Sequence, residues 1–127
     1  MKTIKRGLVV DDISSIRYIA KTMLNALGCE TVYEASRGKM ALELVCEHQL
    51  DIVLLDWRLP DMAGIDCLRI IRSIPLTANL PVLMVTAERE RSMVQEALEA
   101  GASGYIVKPF NLPTLQAHLK IALLKSK

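Results

Sequence analysis

The chain alternates short, unbroken apolar runs with longer segments whose apolar residues recur at helical spacing. Leu8-Val9-Val10 ends on Asp11-Asp12. Runs without polar interruption mark strands buried on both faces, as in a parallel sheet. Ile16, Ile19, Ala20, Met23, Leu24 and Leu27 then share one predicted helical face, with Gly28 as the stop. Thr31 to Ala35 is a second, less apolar strand, suited to a place nearer the sheet edge. Ser36 is positioned to cap a helix running to about His48, with Met40, Ala41, Leu44 and Val45 inside.

The third strand, Ile52 to Leu55, halts on Asp56, and the loop after it carries Pro60 and closes near Gly64. Gly64 to Ser73 predicts a helix with Ile65, Cys67, Leu68 and Ile71 inward, and Pro75 blocks its continuation. Pro81 introduces a fourth strand, Val82 to Val85, ending on Thr86-Ala87. Glu90 to Ala100 predicts a helix with Met93, Val94, Ala97 and Leu98 inward, stopped by Gly101. Tyr105 to Val107 is the fifth strand, with Lys108-Pro109-Phe110 directly after it. The last helix starts near Leu112, tolerates Pro113 in its first turn, and runs to about Lys125. Strict alternation with right-handed crossovers predicts a three-layer α/β fold, its parallel sheet covered on both faces. No linker or repeat divides residues 1–127, so a single domain is expected.

Composition narrows the function. A net charge of +2 with no Lys/Arg patch gives no footprint for nucleic acid, and 4% aromatic content offers no base-stacking platform. The three cysteines, Cys29, Cys46 and Cys67, are far apart and form no CxxC, as expected of thiols in a reducing cytoplasm. The first apolar run is too short for a signal peptide and no stretch is long enough to span a membrane, so a cytoplasmic protein is expected.

The chemistry lies at the carboxyl end of each strand. A parallel sheet brings its strand ends to one rim, where open α/β folds bind and react. That rim collects Asp11 and Asp12 from the first strand, Asp56 from the third, Thr86 from the fourth and Lys108 from the fifth. Like charges at about 4 Å cost on the order of 4 kcal/mol per pair in a partly screened setting. Lys108 can offset one negative charge and a hard divalent cation two; all-oxygen ligation suits Mg²⁺. A carboxylate left partly free beside that cation is a nucleophile for phosphoryl transfer, with Thr86 as a hydroxyl donor to a phosphoryl oxygen.

Leu8-Val-Val-Asp-Asp12, Leu54-Leu-Asp56-Trp-Arg-Leu-Pro60 with Gly64, Val85-Thr86-Ala87, Gly101-Ala-Ser-Gly-Tyr105 and Lys108-Pro109-Phe110 together resemble the receiver domain of bacterial two-component response regulators. Trp57 after the acceptor and Thr86-Ala87-Glu88 are most similar to the single-domain chemotaxis regulators of the CheY type. The resemblance implies a flavodoxin-like fold with strand order 2-1-3-4-5. It also implies phosphoryl transfer from a sensor histidine kinase or phosphotransfer protein to Asp56. Mg²⁺ would be held by Asp12 and Asp56 directly, by Asp11 mainly through water, and by the Arg58 backbone carbonyl. Lys108 would pair with the phosphoryl group, the Lys108–Pro109 peptide would be cis, and Thr86 and Tyr105 would relay the change to an output protein on the face made by the fourth helix, fifth strand and fifth helix. Phosphotransfer and dephosphorylation would be self-directed rather than turnover of an external substrate, with no direct role for nucleic acid or membrane.

Arg58 and Glu88 lie two residues past Asp56 and Thr86, at positions that tune phosphoryl lifetime in this family; opposite charges there are expected to pair and hinder the attacking water. A basic face is typical of chemotaxis regulators at the flagellar switch, and His118 and Ile121 on the last helix weigh against a flagellar-motor partner. A chain ending at Lys127 favours a stand-alone signalling protein or phosphorelay shuttle, with a module of a multidomain regulator as the alternative. A flavin-binding flavodoxin would need a Ser/Thr/Gly-rich phosphate loop where Asp11-Asp12 stand. A phosphatase with an Asp nucleophile would need a second carboxylate where Arg58 stands.

Overall fold

A computed structural model describes residues 4–87 and 91–125, with the side chains of Arg91 and Lys125 outside that description. The elements run in order: β1 (Arg6–Val10), α1 (Ser14–Ala26), β2 (Thr31–Ala35), α2 (Gly38–Glu47), β3 (Ile52–Asp56), α3 (Gly64–Ser73), a 3₁₀ turn (Pro75–Thr77), β4 (Val82–Thr86), α4 (Arg91–Glu99), β5 (Gly104–Val107) and α5 (Leu112–Lys125). The strands form one parallel sheet in the order β2-β1-β3-β4-β5, as expected. The less apolar β2 is indeed an edge strand. Gly28 and Gly101 take φ of +102° and +100° just past α1 and α4, the left-handed turn that ends a helix without strain only for glycine.

The central strand β3 is buried along its whole length, so each face must be covered. One layer joins Leu8, Val53, Leu55, Leu68, Ile71 and Met84 with Ala41, Val45 and Ala97. The other packs Val9, Ile52, Leu54, Leu83 and Ile106 against Leu24 of α1 and Leu115 and Leu119 of α5. Each such Leu or Ile contributes roughly 1.5–3 kcal/mol by leaving water. Two packed faces therefore hold the carboxyl ends of the strands rigidly level.

The structure corrects three inward assignments. Ile19, Met40 and Leu98 are 53%, 40% and 45% exposed. Each adjoins in sequence a buried alanine (Ala20, Ala41 or Ala97), and a neighbour on a helix lies roughly 100° round the axis. The inward stripe is narrower than the apolar sequence pattern. Ser36 is not the cap of α2 either. The N-cap is Arg37, without a side-chain bond, and Asp61 supplies the cap from the loop after β3. Its Oδ1 and Oδ2 accept from Gly38 N at 2.8 Å and Lys39 N at 2.9 Å.

Candidate functional site

Register sets the site. Val10 lies opposite both Ala35 and Leu55, Asp56 opposite Val85, and Thr86 opposite Val107. The residues at or just past the ends of β1, β3, β4 and β5 therefore meet on one rim. The backbone is pinned across it: Asp11 N donates to Ala35 O at 3.0 Å, Trp57 N to Val85 O at 2.9 Å, and Lys108 N to Thr86 O at 2.7 Å.

Asp11, Asp12 and Asp56 come together, with one carboxylate oxygen of each within 4.8 Å of the others. Asp11 and Asp56 are buried and Asp12 is exposed. The Asp11 carboxylate is doubly held: Oδ1 accepts from Ile13 N at 2.9 Å and Oδ2 from Lys108 Nζ at 2.9 Å. Lys108 Nζ also lies 3.3 Å from Asp56 Oδ1. The ammonium thus favours Asp11 and leaves Asp56 the less compensated of the two buried carboxylates.

This geometry sets the electrostatics. Burial, then the charge of Asp11, raises the Asp56 pKa above its usual 3.8 even though Lys108 opposes both. Burial also works against the Lys108 ammonium, yet the hydrogen bond to Asp11 and the charges of Asp56 and Asp11 outweigh it and raise its pKa. The cluster carries more negative charge than one lysine offsets. Three hard oxygen donors converging from the ends of β1 and β3, one of them open to solvent, fit a small divalent cation that keeps several waters.

The loop after Asp56 is shaped to return on itself. Arg58 bridges Ala63, Leu59 N donates to Met62 O at 3.2 Å, and Gly64 N donates to Trp57 O at 2.7 Å. A side chain at Gly64 would collide with the backbone carbonyl of Asp56, so only glycine lets α3 start this close to the rim. Arg58 is exposed at the mouth of this loop. Thr86 is buried at the end of β4. Tyr105 is half-buried on β5, its ring edge-on to Trp57 with centroids 6.4 Å apart. The Lys108–Pro109 peptide is cis. Glu88 lies outside the described residues, as does any pairing with Arg58 through it.

Arg17 and Glu34 stand behind Asp11 and are absent from the site expected from sequence. Arg17 Nη1 donates to Asp11 O at 2.7 Å, while its Nε pairs with Glu34 Oε1 at 3.1 Å. The one hint in the sequence is a glutamate, Glu34, within the edge strand β2. Among the described residues, no helix is long and apolar enough to cross a membrane.

Comparison with known proteins bears on the family and the fold. The family model for the response regulator receiver domain matches residues 8–120. The chain is similar to chemotaxis protein CheY-3 of Vibrio cholerae, at 46% identity over 112 residues, covering 88% of this chain and 86% of the relative. Its backbone resembles the solved structure of the chemotaxis response regulator CheY4 of Vibrio cholerae, with a TM-score of 0.88 and 34% identity, covering 95% of this chain and 100% of that one. It also resembles the receiver domain of the sensor histidine kinase PA1611 of Pseudomonas aeruginosa, solved with a magnesium ion in its active-site cleft. There the TM-score is 0.85 and the identity 27%, covering 95% of this chain and 98% of that one.

Proposed function

Because the chain belongs to the response regulator receiver family, we propose that it receives a phosphoryl group on Asp56 from a histidine kinase or phosphotransfer protein and passes the signal on by changing the affinity of an output surface. The observation that carries this reading is Lys108 Nζ set between Asp11 and Asp56, at 2.9 and 3.3 Å, beside a third carboxylate. No structural purpose calls for two carboxylates on one ammonium with a third close by, since the three repel one another at a cost that packing must offset.

Mg²⁺ held by Asp11, Asp12, Asp56 and the Arg58 carbonyl would supply positive charge to the phosphoryl oxygens. The chain's own residues do the rest. An Asp56 Oδ attacks phosphorus, the donor's P–N bond breaks, and the imidazole leaves with the electron pair and takes up a proton. Lys108 tracks the incoming charge, moving its ammonium from carboxylate to phosphoryl oxygen. Thr86 gives its hydroxyl to another of those oxygens. The phosphoryl group brings about −1.5 to −2 charges and three acceptor oxygens. A few charge-assisted hydrogen bonds of about 1.5–3 kcal/mol each are enough to bias a two-state rim. Movement of Thr86 frees space for Tyr105, which shares the sheet edge with the α4 and α5 surface. Arg58 and Glu88 set how fast water removes the group, and the reaction is confined to the protein's own aspartate.

Trp57 adjoins Asp56 and reports the test. Its fluorescence is expected to change on adding Mg²⁺ and again on adding acetyl phosphate, with the second change lost in Asp56→Asn. An unaltered acetyl phosphate response in that variant refutes the assignment.

A further inference from the structure

Asp11 is gripped from three sides, and two of them do not involve its carboxylate. Its N–H donates to Ala35 O and its carboxylate is held by Ile13 N and Lys108. Its carbonyl accepts a 2.7 Å hydrogen bond from Arg17 Nη1. Arg17 is in turn anchored through Nε to Glu34 Oε1 at 3.1 Å, and Lys21 Nζ holds the other oxygen of Glu34 at 3.3 Å. Glu34 precedes Ala35 on β2, so the end of this edge strand reaches the Asp11 backbone twice, once through Ala35 O and once through Arg17. The Arg17 side chain is only 18% exposed, unlike an ordinary surface ion pair. Its planar fork makes two differently directed bonds from one rigid group, a task that a lysine ammonium on a flexible stem does poorly.

We infer that Arg17, braced by Glu34, is a positioning residue for the cation site: it fixes the Asp11–Asp12 turn so that both carboxylates face the rim, and thereby sets cation affinity without touching the cation. This rests on the reading of the acidic rim as a Mg²⁺ site. The charge of Arg17 gives the inference a sign that a purely electrostatic role reverses. A cation beside a metal site repels the metal, so removing it should tighten binding if position is irrelevant. If position dominates, removing it loosens binding. Groups that orient metal ligands commonly change metal affinity by about 10–100-fold when lost.

The test is a Mg²⁺ titration of the intact protein monitored by Trp57 fluorescence, with circular dichroism confirming that each variant is folded. Arg17→Gln is expected to weaken Mg²⁺ binding about tenfold. Arg17→Lys, which keeps the charge and loses the fork, should weaken it to a similar extent. Glu34→Gln should weaken it less, and the Arg17→Gln, Glu34→Gln double variant no further than Arg17→Gln alone. Arg69→Gln removes the same charge from the exposed pair with Glu96 on α3 and α4 and should leave affinity unchanged. Unchanged or tighter binding in Arg17→Gln, or wild-type affinity in Arg17→Lys, overturns the inference while leaving the site intact. Absence of any Mg²⁺ response in the wild type overturns the underlying site instead. Should Arg17→Gln fail to fold, Arg17→Lys and Glu34→Gln decide between the outcomes.

Discussion

Replacing Asp56 by Asn should stabilise the protein when no divalent cation is present. Asp56 is buried, has a like charge on Asp11 and another on Asp12 within 4.8 Å, and shares Lys108 at 3.3 Å. With an effective dielectric near 20, each like-charge contact at that spacing opposes folding by about 3–4 kcal/mol, and the contact with Lys108 favours it by about 5 kcal/mol. Exposure of Asp12 screens its share to a fraction of that figure. The balance is close to zero before desolvation of the carboxylate is added, and desolvation tips it against the ion. Asparagine keeps the shape and removes the charge, so a gain on the order of 1–3 kcal/mol is expected in urea unfolding with EDTA. The pH dependence has a definite sign. A carboxyl whose folded pKa is raised contributes most below its unfolded value, here 3.8, and that contribution is lost as pH rises through the folded value. The two proteins should therefore converge in acid and separate toward neutrality. Saturating Mg²⁺ should close the gap, because binding at one hundred times Kd stabilises by about 2.7 kcal/mol and the variant binds less tightly. Asp56→Asn less stable than wild type in EDTA at neutral pH would refute the reasoning.

Local geometry gives three further expected outcomes. Gly64→Ala places a Cβ against the Asp56 carbonyl and should cost about 1–3 kcal/mol in urea unfolding, with a weakened Mg²⁺ response of Trp57. Hydrogen bonds from Lys39 N and Gly38 N hold the Asp61 pKa below 3.8, so its capping contribution is present above that value and is lost as pH falls through the lower folded value; Asp61→Ala should speed hydrogen exchange at Gly38 and Lys39 at neutral pH. Burial pushes the thiols of Cys29 and Cys67 to about 11 and about 12 while Cys46 is exposed, so a colorimetric thiol assay on the native protein should show one fast cysteine and two that react only on unfolding.

The parts of the fold that depend on period and punctuation are legible in the chain itself. Unbroken apolar runs locate four of the five strands, β2 is read from a less apolar segment, glycines mark the ends of α1 and α4, and the strand ends name the rim. The errors came where a local rule met a longer-range partner. A cap was expected just ahead of α2, yet Asp61, 23 residues past Gly38, holds both amides. Ile19, Met40 and Leu98 are apolar but stand beside the inward stripe, and amphipathic spacing does not tell flank from centre. The role of Arg17 and Glu34 is not legible in the sequence, because it lies in meeting Asp11 across two elements, which no spacing within one helix or strand reveals.

The most direct test of the central claim is to locate the phosphoryl group. After incubation with acetyl phosphate and Mg²⁺, borohydride reduction converts an acyl phosphate to homoserine, which peptide mass spectrometry places in the chain. The structure predicts homoserine at position 56 alone, absent when EDTA replaces Mg²⁺. Homoserine at position 11 or 12, or none at position 56 under conditions that label a known receiver, would contradict it.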